Sequence, residues 1–134
     1  MFLDLSTSLL SEGYGVRFRP RGWSMCPAIR DGEAVTVEPV GADDVRRGDI
    51  LLYRAERGVI AHRVVRIEGE KSPVFTLRGD ASETCDEPIE AAQILGRVVA
   101  VERGGRRHNL CGRRAGISRA VRVHATKIKA FLKF

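Results

Sequence analysis

The sequence predicts a mainly β fold, a coiled sheet or partly open barrel, with a short N-terminal helix and a basic amphipathic C-terminal helix. Three observations lead there. Short apolar or alternating runs recur along the chain, separated by turns rich in Gly, Pro and Asp. The 14 glycines, set against 6% aromatic residues, suit a fold with many turns better than a helical bundle. Two of the runs flank Gly104-Gly105, a strong two-residue hairpin signal.

Taken in order, Leu3, Leu5, Leu9 and Leu10 are interleaved with Ser6, Thr7 and Ser8, and read as a short amphipathic helix closed by Gly13. Val16 and Phe18 alternate with Arg17 and Arg19, a strand that Pro20 stops. A turn-rich segment follows, Gly22 to Pro27, then Ile29 to Gly32, closing on an Asp-Gly turn. Ala34 to Glu38, Ile50 to Tyr53, Val59 to Ile67 and Val74 to Leu77 read as strands. Turns at Arg47-Gly48-Asp49, Glu68 to Ser72 and Arg78-Gly79-Asp80 separate the later ones. After a polar loop, Ile94 to Glu102 and Arg106 to Leu110 form the glycine-linked pair.

The last segment differs. Wrapped as a helix, Ser118, Arg119, Arg122, Thr126, Lys129 and Lys133 gather on one face, with Val121, Ala125, Ile128, Phe131 and Leu132 opposite. Ile128, Ala130, Leu132 and Phe134 also permit an alternating, strand-like reading.

Composition bounds the possibilities. A chain of 134 residues, 43% hydrophobic and 30% charged, matches one globular unit able to bury a core. No stretch approaches the ~20 apolar residues that span a bilayer, and the acidic start Met1-Phe2-Leu3-Asp4 lacks the basic end of a signal peptide. The expected location is therefore the cytoplasm. Cys26, Cys85 and Cys111 are an odd count without metal-ligand spacing, so free thiols are expected and no metal or other cofactor.

The net charge of +6 is uneven: from Arg103 onward there are ten Lys and Arg and no acid, which leaves 13 bases against 17 acids before it. Basicity belongs to the tail. The tail either packs on the sheet with its cations in water or lies on an anionic membrane surface, which would put the protein on the membrane's inner face. Nucleic acid is not the expected partner.

Chemistry centres on a serine and a histidine. A serine hydroxyl becomes a useful nucleophile only beside a base and on a bend that exposes its oxygen. Ser24 sits on such a bend, between Gly22 and Pro27. Of His62, His108 and His124, only His62 lies in an apolar strand, where backbone fixes the ring. An imidazole can accept a proton near neutral pH and return it to a leaving group. A third group must orient the ring, and Asp80 and Asp86 are the acids of the loop after the Phe75 strand.

In combination these segments resemble one family. Gly22-x-Ser24-Met25-x-Pro27, with Gly32 and Val35, is similar to the nucleophile box of signal peptidases and LexA-type self-cleaving repressors. Arg47-Gly48-Asp49-Ile50-Leu51 resembles the Gly-Asp strand start that follows in both groups. His62-Arg63-Val64-Val65 resembles the base motif of the archaeal and endoplasmic-reticulum signal peptidases, where bacterial leader peptidases and the repressors carry Lys. Arg78-Gly79-Asp80-Ala81-Ser82 with Asp86 looks like that group's Lys-Gly-Asp-Asn-Asn box and downstream acid, and Ile94-Leu95-Gly96-Arg97-Val98 like its closing strand. These motifs span about residues 14–102, roughly two thirds of the chain.

The residue patterns and the resemblance together divide the chain into an N-terminal helix (1–13), a signal-peptidase-like catalytic β domain (14–112) and a basic tail (113–134) that is part of the same domain or binds a surface. The resemblance implies a serine endopeptidase that cleaves a peptide or protein substrate after small residues in a leader-like segment. Ser24 would be the nucleophile and His62 the general base. By position Asp86 matches the triad acid and Asp80 the Gly-Asp residue, and either could orient the ring. Gly22, Trp23, Met25 and Pro27 would line the substrate site, with Met25 also expected to pack beneath the bend and Trp23 either walling the cleft or entering the core. Many signal peptidases have Ser-Gly-Ser-Met, whose first Ser can donate to the oxyanion; here that place is Gly22. The alternatives are a binding or regulatory module that cleaves poorly, and a self-cleaving regulator.

Overall fold

The computed structural model describes residues 9–10, 12–111 and 122–123. Among the described residues nine strands form one open sheet in the order β6-β5-β4-β3-β7-β2-β1-β9, with β8 paired to β7. They are β1 Tyr14–Phe18, β2 Ala34–Glu38, β3 Ile50–Ala55, β4 Gly58–Glu68, β5 Val74–Arg78, β6 Ile89–Glu90, β7 Ile94–Arg103, β8 Arg106–Asn109 and β9 Arg122–Val123. All pairings from β1 to β8 are antiparallel, and β9 alone runs parallel to its neighbour β1.

The mainly β expectation therefore holds, and the turns fall where glycines permit them. Gly104 and Gly105 both have positive φ, 61° and 75°, the backbone that a tight hairpin between β7 and β8 requires. β3 and β4 are buried over their centres on both faces, because successive side chains feed two separate cores. Ile50, Leu52, Val59 and Ala61 join Met25, Ile29, Val35 and Val98 in one. Leu51, Tyr53, Ile60 and Val64 join Phe75, Leu77 and Ile89 in the other. His62 is in phase with Ile60 and so belongs with the second face.

The helices differ from expectation. Of the expected N-terminal helix, Leu9 and Leu10 are helical and Glu12 and Gly13 form a turn, and the rest lies outside the described residues. Most of the C-terminal helix, and with it the basic face expected either to stay in water or to meet a membrane, lies outside the described residues. Arg122–Val123 are strand rather than helix, their backbone taken up by Tyr14 and Gly15 at the open edge of β1. The polar loop after β5 holds a strand that its composition hides, β6, bridged to Val74 and Phe75. No helix among the described residues is long and apolar enough to cross a membrane. No disulfide joins Cys26, Cys85 or Cys111 among the described residues, and Cys111 Sγ lies 3.5 Å from Val98 O.

Candidate active site

Ser24 stands on a bend that several bonds lock. The Gly22 N–H donates to Asp31 Oδ1 at 2.7 Å, Gly32 N–H to Pro20 O at 2.9 Å, and Cys26 N–H to Trp23 O at 3.0 Å. Ile29 N–H closes a helical turn onto Met25 O at 2.9 Å. Gly22 has φ 116°, a conformation that disfavours any side chain and so favours glycine here. Arg103, on β7, fastens the bend from outside, holding both Glu33 oxygens and donating to the Pro27 carbonyl at 3.1 Å. That guanidinium, by its hydrogen bonds, holds the Glu33 carboxyl below its ordinary value.

Met25 is fully buried, with its Sδ 3.5 Å from the Asp80 N–H. The thioether has joined the core under the bend, as its apolar character favours, and props Ser24 from beneath. Trp23 is 66% exposed, which removes the core alternative for that ring. Pro27 is exposed, while Gly22 and Ser24 are partly so.

His62 reaches the bend from the middle of β4. Its neighbour on β3 is Leu51. On the other side, the β4–β5 ladder ends at the pair Arg63 and Arg78, so the next residue past β5 is Gly79. A Cβ there would come within 2.7 Å of Ser24 O and 3.0 Å of both His62 Nε2 and Ser24 Cβ. The missing side chain is what lets the serine and the ring meet. Ser24 Oγ lies 2.9 Å from His62 Nε2, and the ring is almost wholly buried.

Asp86 takes the other ring nitrogen: its Oδ2 is hydrogen-bonded to His62 Nδ1. A carboxylate only accepts, so Nδ1 carries the proton and Nε2 offers its lone pair to the Ser24 hydroxyl. The Asp86 N–H donates to Leu77 O at 2.8 Å, anchoring the acid to β5. Its Oδ2 also accepts from the Tyr53 hydroxyl at 2.6 Å. Burial first, then the Asp86 carboxylate, push the Tyr53 phenol far above its ordinary value, so it stays a donor.

Asp80 does something else. It makes a two-pronged contact with Arg63, at 2.8 and 2.7 Å, while Arg63 Nη1 donates to Gly48 O at 2.8 Å. That hydrogen-bonded carboxylate raises the Arg63 value further. One residue on, Ala81 N–H donates to Ser24 O at 2.8 Å. Asp80 thus ties the loop bearing Gly79 to the histidine's strand and does not contact His62. Of the two acids left open by the sequence, the structure brings only Asp86 to the ring.

Tyr53, Gly79 and Asp31 are site residues that sequence reasoning did not single out. Tyr53 was legible only as the end of an apolar strand, and Gly79 only as part of a turn motif. A cavity of about 550 Å³ adjoins the acid, with Tyr53, Asp86, Glu87, Ile60 and Ile89 in its lining. Among the described residues no cluster of His, Cys, Asp and Glu could hold a metal ion.

A hydroxyl on an imidazole that is backed by a carboxylate is the side-chain arrangement that serine peptidases use on several unrelated folds. A family model described as peptidase S24-like matches residues 2–99, most of the chain and all of the residues above up to Gly96. The chain belongs to that family and is a serine-peptidase-fold protein. No curated protein and no solved structure matches it significantly.

Proposed function

We propose that the protein is a serine endopeptidase of signal-peptidase type, with Ser24 as nucleophile, His62 as general base and Asp86 orienting the ring. The observation that carries this reading is the 2.9 Å contact between Ser24 Oγ and His62 Nε2, with Asp86 on Nδ1. His62 takes the Ser24 proton as Oγ attacks a peptide carbonyl, and an acyl ester forms. The protonated ring then hands that proton to the departing amine. Water, deprotonated by the same nitrogen, hydrolyses the ester and frees Ser24.

The oxyanion is stabilised by backbone N–H groups of the bend, that of Ser24 first, because Gly22 offers no side-chain donor. Trp23 and Pro27, exposed on either side of Ser24, border the substrate. The likeness to signal peptidases favours small residues, often Ala, before the scissile bond and two positions further back.

The test is cleavage of a proteome-derived peptide library by the wild type and by Ser24→Ala, with new termini mapped. Loss of the nucleophile of a triad costs on the order of 10⁶-fold in turnover, which removes every genuine cut. Cuts after Ala-x-Ala-like sites that vanish in the variant support the reading. An absence of Ser24-dependent cuts, with membranes also supplied, overturns it in favour of a binding module on a peptidase fold.

A further inference from the structure

We infer that Tyr53 is a positioning residue for the Ser24–His62 pair, acting through Asp86. The inference rests on the reading above and extends it to a fourth side chain. Asp86 lies on a loop, not a strand, and is only half-buried. Its main-chain tie to Leu77 fixes where the residue starts but leaves the side-chain torsions free. Tyr53 supplies what is missing. It comes from β3, its ring is 1% exposed in the core with Phe75 and Ile89, and its hydroxyl meets Oδ2, the same oxygen that faces His62 Nδ1. One rigid donor from the sheet thus aims the carboxylate at the ring.

Chemistry supports the assignment. A buried phenol normally finds one acceptor, and a hydrogen bond to a charged acceptor is among the stronger kinds. Burial keeps the Tyr53 phenol protonated, and toward a carboxylate oxygen it is the donor. The donated bond occupies one lone pair of Oδ2 and leaves another to the imidazole. The adjoining cavity sets the size of the effect: when the hydroxyl is removed, water can enter and solvate Oδ2. The carboxylate then loses its aim without becoming a bare buried charge.

The test uses Tyr53→Phe, which keeps the ring in the core, alone and combined with Asp86→Asn. Expected for Tyr53→Phe is a kcat roughly tenfold lower with KM within twofold, a loss corresponding to about 1.4 kcal/mol. In the Asp86→Asn background the same change should cost nothing further, since its route has been removed. Equal losses in both backgrounds, or no loss in either, overturn the inference.

A second measurement needs no turnover. The His62 Nδ1 proton, followed by NMR, should exchange with solvent several-fold faster in Tyr53→Phe than in the wild type. Unchanged exchange overturns the positioning role even if the protein proves not to be a peptidase. A wild type without Ser24-dependent cleavage but with the faster exchange sinks the peptidase reading and leaves this one standing.

Discussion

Gly79→Ala is the most demanding perturbation of the site. The backbone at Gly79 lies outside the positive-φ region, so alanine brings no conformational strain and the effect is one of contact alone. Its Cβ would stand 2.7 Å from Ser24 O, nearer than the 3.0 Å below which real Cβ contacts are essentially never found. A few tenths of an ångström must be found. The opposing carbonyl cannot swing aside, because Ala81 N–H holds it at 2.8 Å. The other two atoms in the way, at 3.0 Å, are Ser24 Cβ and His62 Nε2, so the displacement is delivered to the pair that must meet.

General-base transfer works over about 2.6–3.2 Å, and a misplacement of about 1 Å costs ~10²-fold. Starting from 2.9 Å, the loss in kcat for Ser24-dependent cleavage should be about 10- to 100-fold. Overpacking should also cost about 1–3 kcal/mol in urea unfolding. The rate of fluorophosphonate labelling at Ser24 gives an independent readout and should fall in parallel. Gly41→Ala is the control: its Cβ would sit 3.5 Å from Asp44 Oδ2, an ordinary contact, with φ at −76°. It should leave cleavage unchanged and stability equal or raised by about 0.4–1 kcal/mol. A Gly79→Ala protein with wild-type kcat and labelling would refute the idea that this glycine makes room for the hydroxyl.

Two further outcomes are expected. Asp86→Asn should lower kcat by about 10⁴-fold by favouring the wrong ring tautomer, whereas Asp80→Asn, which touches only Arg63, should cost about tenfold or less; comparable losses would reverse the assignment of the two acids. Glu33, whose carboxyl is held below its ordinary value of 4.5 by Arg103, contributes stability that is present above that value and is lost as pH falls through the lower folded one. Thermal melts should therefore show Glu33→Gln less stable than wild type at pH 7, with the gap narrowing as pH falls below 4.5, and a gap that persists unchanged in acid would count against the pair.

By itself the sequence determined the class of fold and pointed to Ser24, His62 and two candidate acids. Alternation and turn residues are local signals, so strands such as Ala34–Glu38 and the Gly104-Gly105 hairpin were legible residue by residue. Ser24, His62 and the two acids were legible because each stands in a motif whose neighbours serve the same local geometry. Strands of two residues were not: β6 and β9 exist only because Phe75 and Gly15 offer backbone partners far away in sequence. The helical wrap of the tail could not foresee that pairing at Arg122–Val123.

Only the tertiary structure decided between the acids. Asp80 and Asp86 lie on one loop with the same charge, and nothing local says that one turns to Arg63 and the other to His62. That choice depends on where β4 sets Arg63 against Gly48 and where the Asp86 backbone returns to Leu77. The same holds for Tyr53 and Gly79. A buried tyrosine becomes the partner of a carboxylate, and a turn glycine the space for a hydroxyl, only when strands distant along the chain are laid side by side in register.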